Sequence, residues 1–143
     1  MSKFLALIAI LCLVACSKPD DAKQIEKQLD LYSTYVRTAN HFGIASLFAD
    51  DGVLEPNIRG TKAIQQHLTT TTTGLKVIEF ALDPSKPVIT GDTAEQSIIY
   101  QQQLKTPQGN TVQLTGKYTV TWVRPASGRW LIVRLATSSA EKP

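Results

Sequence analysis

The spacing of apolar residues changes along this chain, and each change predicts a different element. Phe4 to Ala15 (FLALIAILCLVA) is apolar almost throughout. The run is short for a bilayer-spanning helix, which needs roughly twenty residues. From Ile25 the period becomes helical. Ile25, Leu29, Tyr32, Val36 and Ala39 recur every three or four residues, while Lys23, Glu26, Lys27, Asp30, Ser33 and Arg37 fall largely elsewhere. This predicts a helix over about 22–39, its start capped by Asp20 or Asp21. Asn40 and His41 break it, and a short second helix carries Phe42, Ala45, Leu47 and Phe48 before a turn at 49–52. Val53-Leu54-Glu55-Pro56 reads as a short edge or terminal strand, since proline cannot donate to a ladder. Thr61 should cap a third helix running from Lys62 to about Leu68. The five threonines at 69–73 should then lead into a loop, because branched Cβ atoms resist helix.

Beyond Gly74 the period drops to two, which predicts strands. They cover 75–82, 88–90, 93–104, 111–123 and 129–136, separated by turns rich in proline and glycine. On the long strand at 111–123, Val112, Leu114, Gly116, Tyr118, Val120 and Trp122 alternate with polar residues. On the last strand Trp130, Ile132 and Arg134 should share one face, and Leu131, Val133 and Leu135 the other. That strand is apolar on both sides. One side can face the helices, and the other can curl over its own sheet or meet a second subunit. The expected class is therefore α+β: a mostly antiparallel sheet covered by a long N-terminal helix and two shorter ones.

Composition adds little to the fold and more to location. The chain has 143 residues, enough for one domain, and its 43 % hydrophobic and 19 % charged content is ordinary for a globular protein. Lysine and arginine total 15 against 12 acids, spread along the sequence, which does not suit a nucleic-acid partner. Lys3 followed by the short apolar run reads as a secretory signal peptide. Its end, Leu13-Val14-Ala15-Cys16, resembles the lipobox of bacterial lipoproteins. That resemblance implies cleavage before Cys16, a diacylglycerol on its sulfur and an acyl chain on the new amine. Several acyl chains hold a protein to a bilayer firmly, since each buried methylene adds about 0.8 kcal/mol. Residues 16–21 then form the lipidated cysteine and a short polar tether, 22–138 the domain, and 139–143 a flexible tail. Ser17 after the cysteine is the residue type that accompanies export to the outer membrane, so the domain should face the periplasm. Cys12 leaves with the signal peptide and Cys16 is acylated, so thiol catalysis and thiolate metal sites are excluded.

Four stretches together resemble the NTF2-like superfamily, closest to its SnoaL-like and DUF4440-type bacterial members. They are the opening amphipathic helix ending at Ala39, Leu47-Phe48-Ala49-Asp50-Asp51-Gly52-Val53-Leu54, and Gly60-Thr61-Lys62-Ala63-Ile64. The fourth runs from Gly116-Lys117-Tyr118 through Thr121-Trp122 to Gly128-Arg129-Trp130-Leu131-Ile132. The resemblance implies a curved sheet wrapped around the long helix as a cone, with a pocket at its open end. It also implies a fold that often dimerises through its sheet. It does not imply a reaction, because related domains include isomerases, dehydratases, cyclases and non-catalytic binding modules. The two acids and tyrosine of the isomerase type find no matching positions here. Nor do the two histidines and acid of the dehydratase type.

Candidate pocket residues follow from chemistry and placement. Glu55 inside an apolar cone would have a raised pKa and could move protons. Asp51 could serve as an acid or base at the mouth, and His67 lies on the third helix beside Leu68. His41, in the break between helices, reads as an exposed or capping residue. Tyr32, Tyr100, Tyr118 and Trp122 fall on apolar stripes from which a hydroxyl or indole could face a ligand. Arg134 would offer a fixed cation to an acidic ligand, or to Glu55, if its face is concave. The two histidines show no metal-ligand spacing, and no cofactor is implied. The expected function is a membrane-tethered pocket domain that binds a small molecule or an envelope partner without catalysis. Acid/base proton transfer in the cone is the alternative.

Overall fold

A computed structural model describes residues 20–139; the signal peptide expected at 1–15, Cys16 and the end of the expected tail lie outside the described residues. Three helices come first: α1 (Asp21–Arg37), α2 (His41–Ser46) and, after two strands, α3 (Thr61–Thr71). The strands are β1 (Phe48–Leu54), β2 (Ile58–Arg59), β3 (Lys76–Pro84), β4 (Val88–Thr90), β5 (Thr93–Lys105), β6 (Thr111–Val123) and β7 (Leu131–Ser139). They form one curved, unclosed sheet in the order β2-β1-β7-β6-β5-β3, with β4 also pairing with β5. All pairings are antiparallel except β1 with β7, which is parallel. The α+β architecture expected from the sequence is the one the chain adopts.

The hydrophobic core lies between the helices and the concave face of the sheet. Ile25, Leu29 and Tyr32 of α1 pack with Phe80, Ile98, Val120, Trp122, Ile132 and Leu135. Trp122 and Trp130 are the largest side chains fully withdrawn from water. Each finds a polar partner for its ring nitrogen, as a buried indole requires. Trp122 Nε1 donates to Gln96 Oε1 at 3.2 Å, and Trp130 Nε1 donates to Asp21 Oδ1 at 3.2 Å. The buried Gln28 donates to the Trp130 carbonyl at 2.6 Å, fixing α1 against β7.

Several local expectations are corrected. Neither Asp20 nor Asp21 caps α1 with its side chain. Asp21 instead reaches across the fold, accepting from Arg124 Nη1 at 2.6 Å, and Arg124 also grips Asp92 at 2.9 Å. A cross-fold ion pair with a side chain only 10 % exposed has displaced a local cap. Asn40, expected only to break a helix, caps α2 by accepting from the Gly43 N–H at 2.8 Å. The stretch at 49–52 is not a turn. It belongs to β1, which pairs along β7 with a shifted register between Phe48 and Val53. Gly60, not Thr61, is the N-cap of α3, at φ 89°, where a side chain would be strained.

The threonine run is also helical through Thr71. Thr69, Thr70, Thr71, Thr72 and Thr73 each turn a hydroxyl back onto the carbonyl four residues earlier, at 2.7–2.9 Å. Most are second bonds to carbonyls that already accept a helix N–H, as the Leu68 carbonyl does from Thr72, so the hydroxyls are held against the helix rather than against its open end. On β7, Trp122 pairs with Ile132 but Thr121 pairs with Arg134. Val133 is therefore an extra residue, a bulge that reverses the facing of all that follows. Ile132 and Leu135 both point into the core. Arg134 turns to the opposite face.

Candidate functional site

Between the three helices and strands β3, β5 and β6 lies a partly open cavity of about 220 Å³. Its apolar wall includes Val36, Ile44, Leu68, Leu75, Val77 and Leu104. Tyr32, His41, Thr72, Gln102 and Tyr118 supply the polar groups. This is a mostly apolar pocket with a few polar groups aimed inward, the usual make-up of a small-molecule site. The other concavities, at 310–650 Å³, are open grooves on the surface.

The tyrosines form a layered cluster. Tyr100 stacks on Tyr118 with ring centres 4.4 Å apart, and Tyr118 meets Tyr32 edge-on at 6.0 Å. The arrangement depends on Gly116. It sits opposite Tyr100 in the β5–β6 register, and a Cβ there would collide with the Tyr100 ring. Burial pushes the Tyr32 hydroxyl above its ordinary value of 10.0, and the neighbouring Tyr118 hydroxyl partly offsets this. Tyr118 is pushed well above 10.0, first by burial and then by the neighbouring Tyr32. Both phenols therefore stay protonated at neutral pH and act as neutral hydrogen-bonding groups.

His41 is held from both ring nitrogens. Nε2 lies 3.0 Å from Thr72 Oγ1 and Nδ1 lies 3.2 Å from Thr69 Oγ1. Both partners come from the end of α3, so the helical state of the threonine run sets the imidazole. A loop at 69–73, as the branched residues predict, would leave His41 without these partners; the helix brings it to the cavity wall. The combination of a histidine at a helix start with hydroxyls three residues apart on one helix face was the available clue.

The other residues singled out from the sequence are placed as follows. Tyr32 and Tyr118 line the cavity, and Tyr100 backs Tyr118. Trp122 lies in the core, bonded to Gln96 rather than facing open space. His67 is half-buried on α3 outside the cavity lining. Asp51 is exposed on β1, and its carbonyl accepts from Arg59 at 3.3 Å. Val53 pairs with Arg134 on the face away from the helices, which carries Glu55 outward as well. There Glu55 Oε1 and Arg134 Nε form an ion pair at 2.5 Å, with the arginine side chain 61 % exposed. The pairing of Glu55 with Arg134 thus occurs, but outside the cone. Among the described residues no three histidine, cysteine, aspartate or glutamate side chains converge as metal ligands.

Comparison with solved structures identifies the same architecture elsewhere. A ketosteroid isomerase-like protein from Erwinia carotovora atroseptica superposes with a TM-score of 0.76 at 18 % identity, covering 87 % of this chain and 99 % of that one. A candidate scytalone dehydratase from Novosphingobium aromaticivorans superposes with a TM-score of 0.69 at 17 % identity, covering 83 % of each chain. A candidate calcium/calmodulin-dependent protein kinase II association domain from Xanthomonas campestris gives 0.66 at 20 % identity, covering 89 % of this chain and 93 % of that one. At such identities the likeness is one of fold. No curated protein sequence matches the chain. The family model described as the SnoaL-like domain matches residues 18–136, nearly the whole of the described structure. By that match the chain belongs to the SnoaL-like family, within the NTF2-like superfamily whose cone the sheet and helices reproduce.

Proposed function

We propose that this is a lipid-anchored protein of a bacterial cell envelope, tethered through Cys16 to the outer membrane and facing the periplasm. In this reading its cone holds one small, largely apolar molecule and does not transform it. The support is the character of the cavity: an apolar chamber whose polar lining is two protonated phenols, an amide, a threonine and a histidine held by hydroxyls. General acid/base catalysis needs a group that can give and take a proton near neutral pH. The tyrosines are shifted away from that range, and Asp51, Glu55 and Arg134 lie outside the chamber. A cavity near 150 Å³ holds a benzene-sized molecule. At about 220 Å³, this one suits a substituted ring or a short branched chain carrying one hydrogen-bonding group.

One observation favours an enzymatic reading instead: His41 brings an imidazole to the cavity wall. Native mass spectrometry of the mature domain, purified gently from its host with Cys16 replaced, separates the two. A defined small mass that Tyr118→Phe weakens supports binding. A bound molecule that changes mass on incubation, and stops doing so in His41→Ala, establishes catalysis. Neither result, with a dimer alone, moves the function to protein contact through the sheet.

A further inference from the structure

Two surface grooves meet at Arg129. One runs between α1 and the β6–β7 turn, past Lys27 and Leu31. The other runs between α2 and the start of α3, past Phe42 and Lys62. Arg129 lines both and donates to the Ser46 carbonyl at 3.1 Å, so they form one continuous band. Phe42 is 70 % exposed and Leu31 41 % exposed, although both sit on helices whose other faces build the core. The charged residues lining the band are Lys27, Lys62 and Arg129 against the single acid Asp50. Exposed apolar side chains flanked by cations are the composition of a surface that seats in a lipid headgroup layer.

The chain also restricts where this band can go. Only four residues' travel separates Cys16 from Asp20, at most about 14 Å of extended chain. Lys27 lies about 9 Å further along α1. A domain of this size has a radius of gyration near 14 Å, so its width exceeds the tether. The start of α1 therefore stays near whatever membrane holds the lipid, and the band, which runs from Lys27 along α1 to Phe42 beyond the far end of that helix, meets this membrane when α1 lies along its surface. At the high effective concentration of such a short tether, weak surface contacts suffice to orient the domain.

We propose that the band formed by Lys27, Leu31, Phe42, Lys62 and Arg129 is a membrane-seating surface that binds anionic phospholipid headgroups. This rests on the Cys16 tether proposed above. The full mature lipoprotein, reconstituted into vesicles of phosphatidylethanolamine and phosphatidylglycerol, tests it with a single spin label. Acylated Cys16 leaves no competing thiol, so the label goes on Phe42→Cys or on Val88→Cys. Val88 is a matched control, 69 % exposed on β4 and outside the band.

The label at 42 is expected to collide more with lipid-dissolved oxygen, and less with an aqueous nickel chelate, than the label at 88. Lys27→Gln, Lys62→Gln and Arg129→Gln together should lower the seating equilibrium about a hundredfold, since each cation near an anionic surface contributes a factor of about five. High salt should act in the same direction. Equal collision profiles at 42 and 88, with the protein still floating with the vesicles, overturn the seating surface and leave the tether intact. An excess at 42 that survives neutralisation and salt overturns the choice of anionic lipid. Failure to float overturns the tether and the seating surface together.

Discussion

Two residues of the tyrosine layer carry opposite kinds of constraint. Tyr118 is constrained electrostatically. Its proton is held more tightly in the fold than in the unfolded chain, because burial disfavours the phenolate. A raised native pKa leaves its contribution fully present below about pH 10, the unfolded value. As pH rises above that, the unfolded chain loses a proton that the native state keeps, so stability falls until the native group also titrates. Each such proton contributes a slope of about 1.4 kcal/mol per pH unit. Denaturant unfolding between neutrality and strong alkali should show this fall in the wild type and a shallower one in Tyr118→Phe. An unchanged slope would mean that the hydroxyl meets water in the fold. Gly116 is constrained by space. Gly116→Ala must push the Tyr100 ring off Tyr118 and should cost about 1–3 kcal/mol. Combining it with Tyr100→Ala should recover part of that loss, because the collision disappears with the ring. Strict additivity in the double-mutant cycle would place the strain elsewhere.

At the scale of elements, α1 is joined to the sheet through its first residue as well as through its apolar face. Asp21 holds Arg124 and the Trp130 ring nitrogen, and the Arg124 guanidinium lies 5.3 Å from the Trp130 ring centre. Asp21→Asn should cost about 1.5–3 kcal/mol, the range for a hydrogen bond to a charged group. Asp92→Asn touches the same arginine through a carboxylate 69 % exposed and should cost under about 1 kcal/mol. Urea midpoints at constant m-value measure both, and equal losses would place the holding force outside Asp21. Elements with a strong period were legible in the sequence. The amphipathic stripe of α1 and the alternation of β5 and β6 end within about two residues of their observed limits. What stayed hidden were choices that tertiary contacts make against local preference. The threonines remain helical with their hydroxyls bonded backward, Asp21 abandons a cap for a distant arginine, and Val133 adds one residue to β7. That one residue places Arg134 outside the cone, the alternation of β1 carries Glu55 out beside it, and the threonine turn brings His41 to the wall. The wall's apolar residues follow from periodicity; its polar corner does not.

For the whole molecule, the proposed anchoring makes a direct prediction. Cys16→Ala should move the protein from the membrane fraction to the soluble envelope fraction, read by fractionation and immunoblot. Retention on the membrane would show that something other than the lipid holds it. The parallel pairing of β1 with β7 has a further consequence. Phe48 is paired with Ile132, Gln28 with the Trp130 backbone and Asp21 with Arg124, so the first helix and first strand are held by the last strand and the turn before it. Long-range closures of this kind slow folding and prevent an N-terminal fragment from settling early. A nascent chain lacking its final strand has nothing to join β1 and β2 to the rest of the sheet. The topology therefore postpones folding until synthesis is nearly complete, which keeps the polypeptide threadable for as long as a translocation channel would need it.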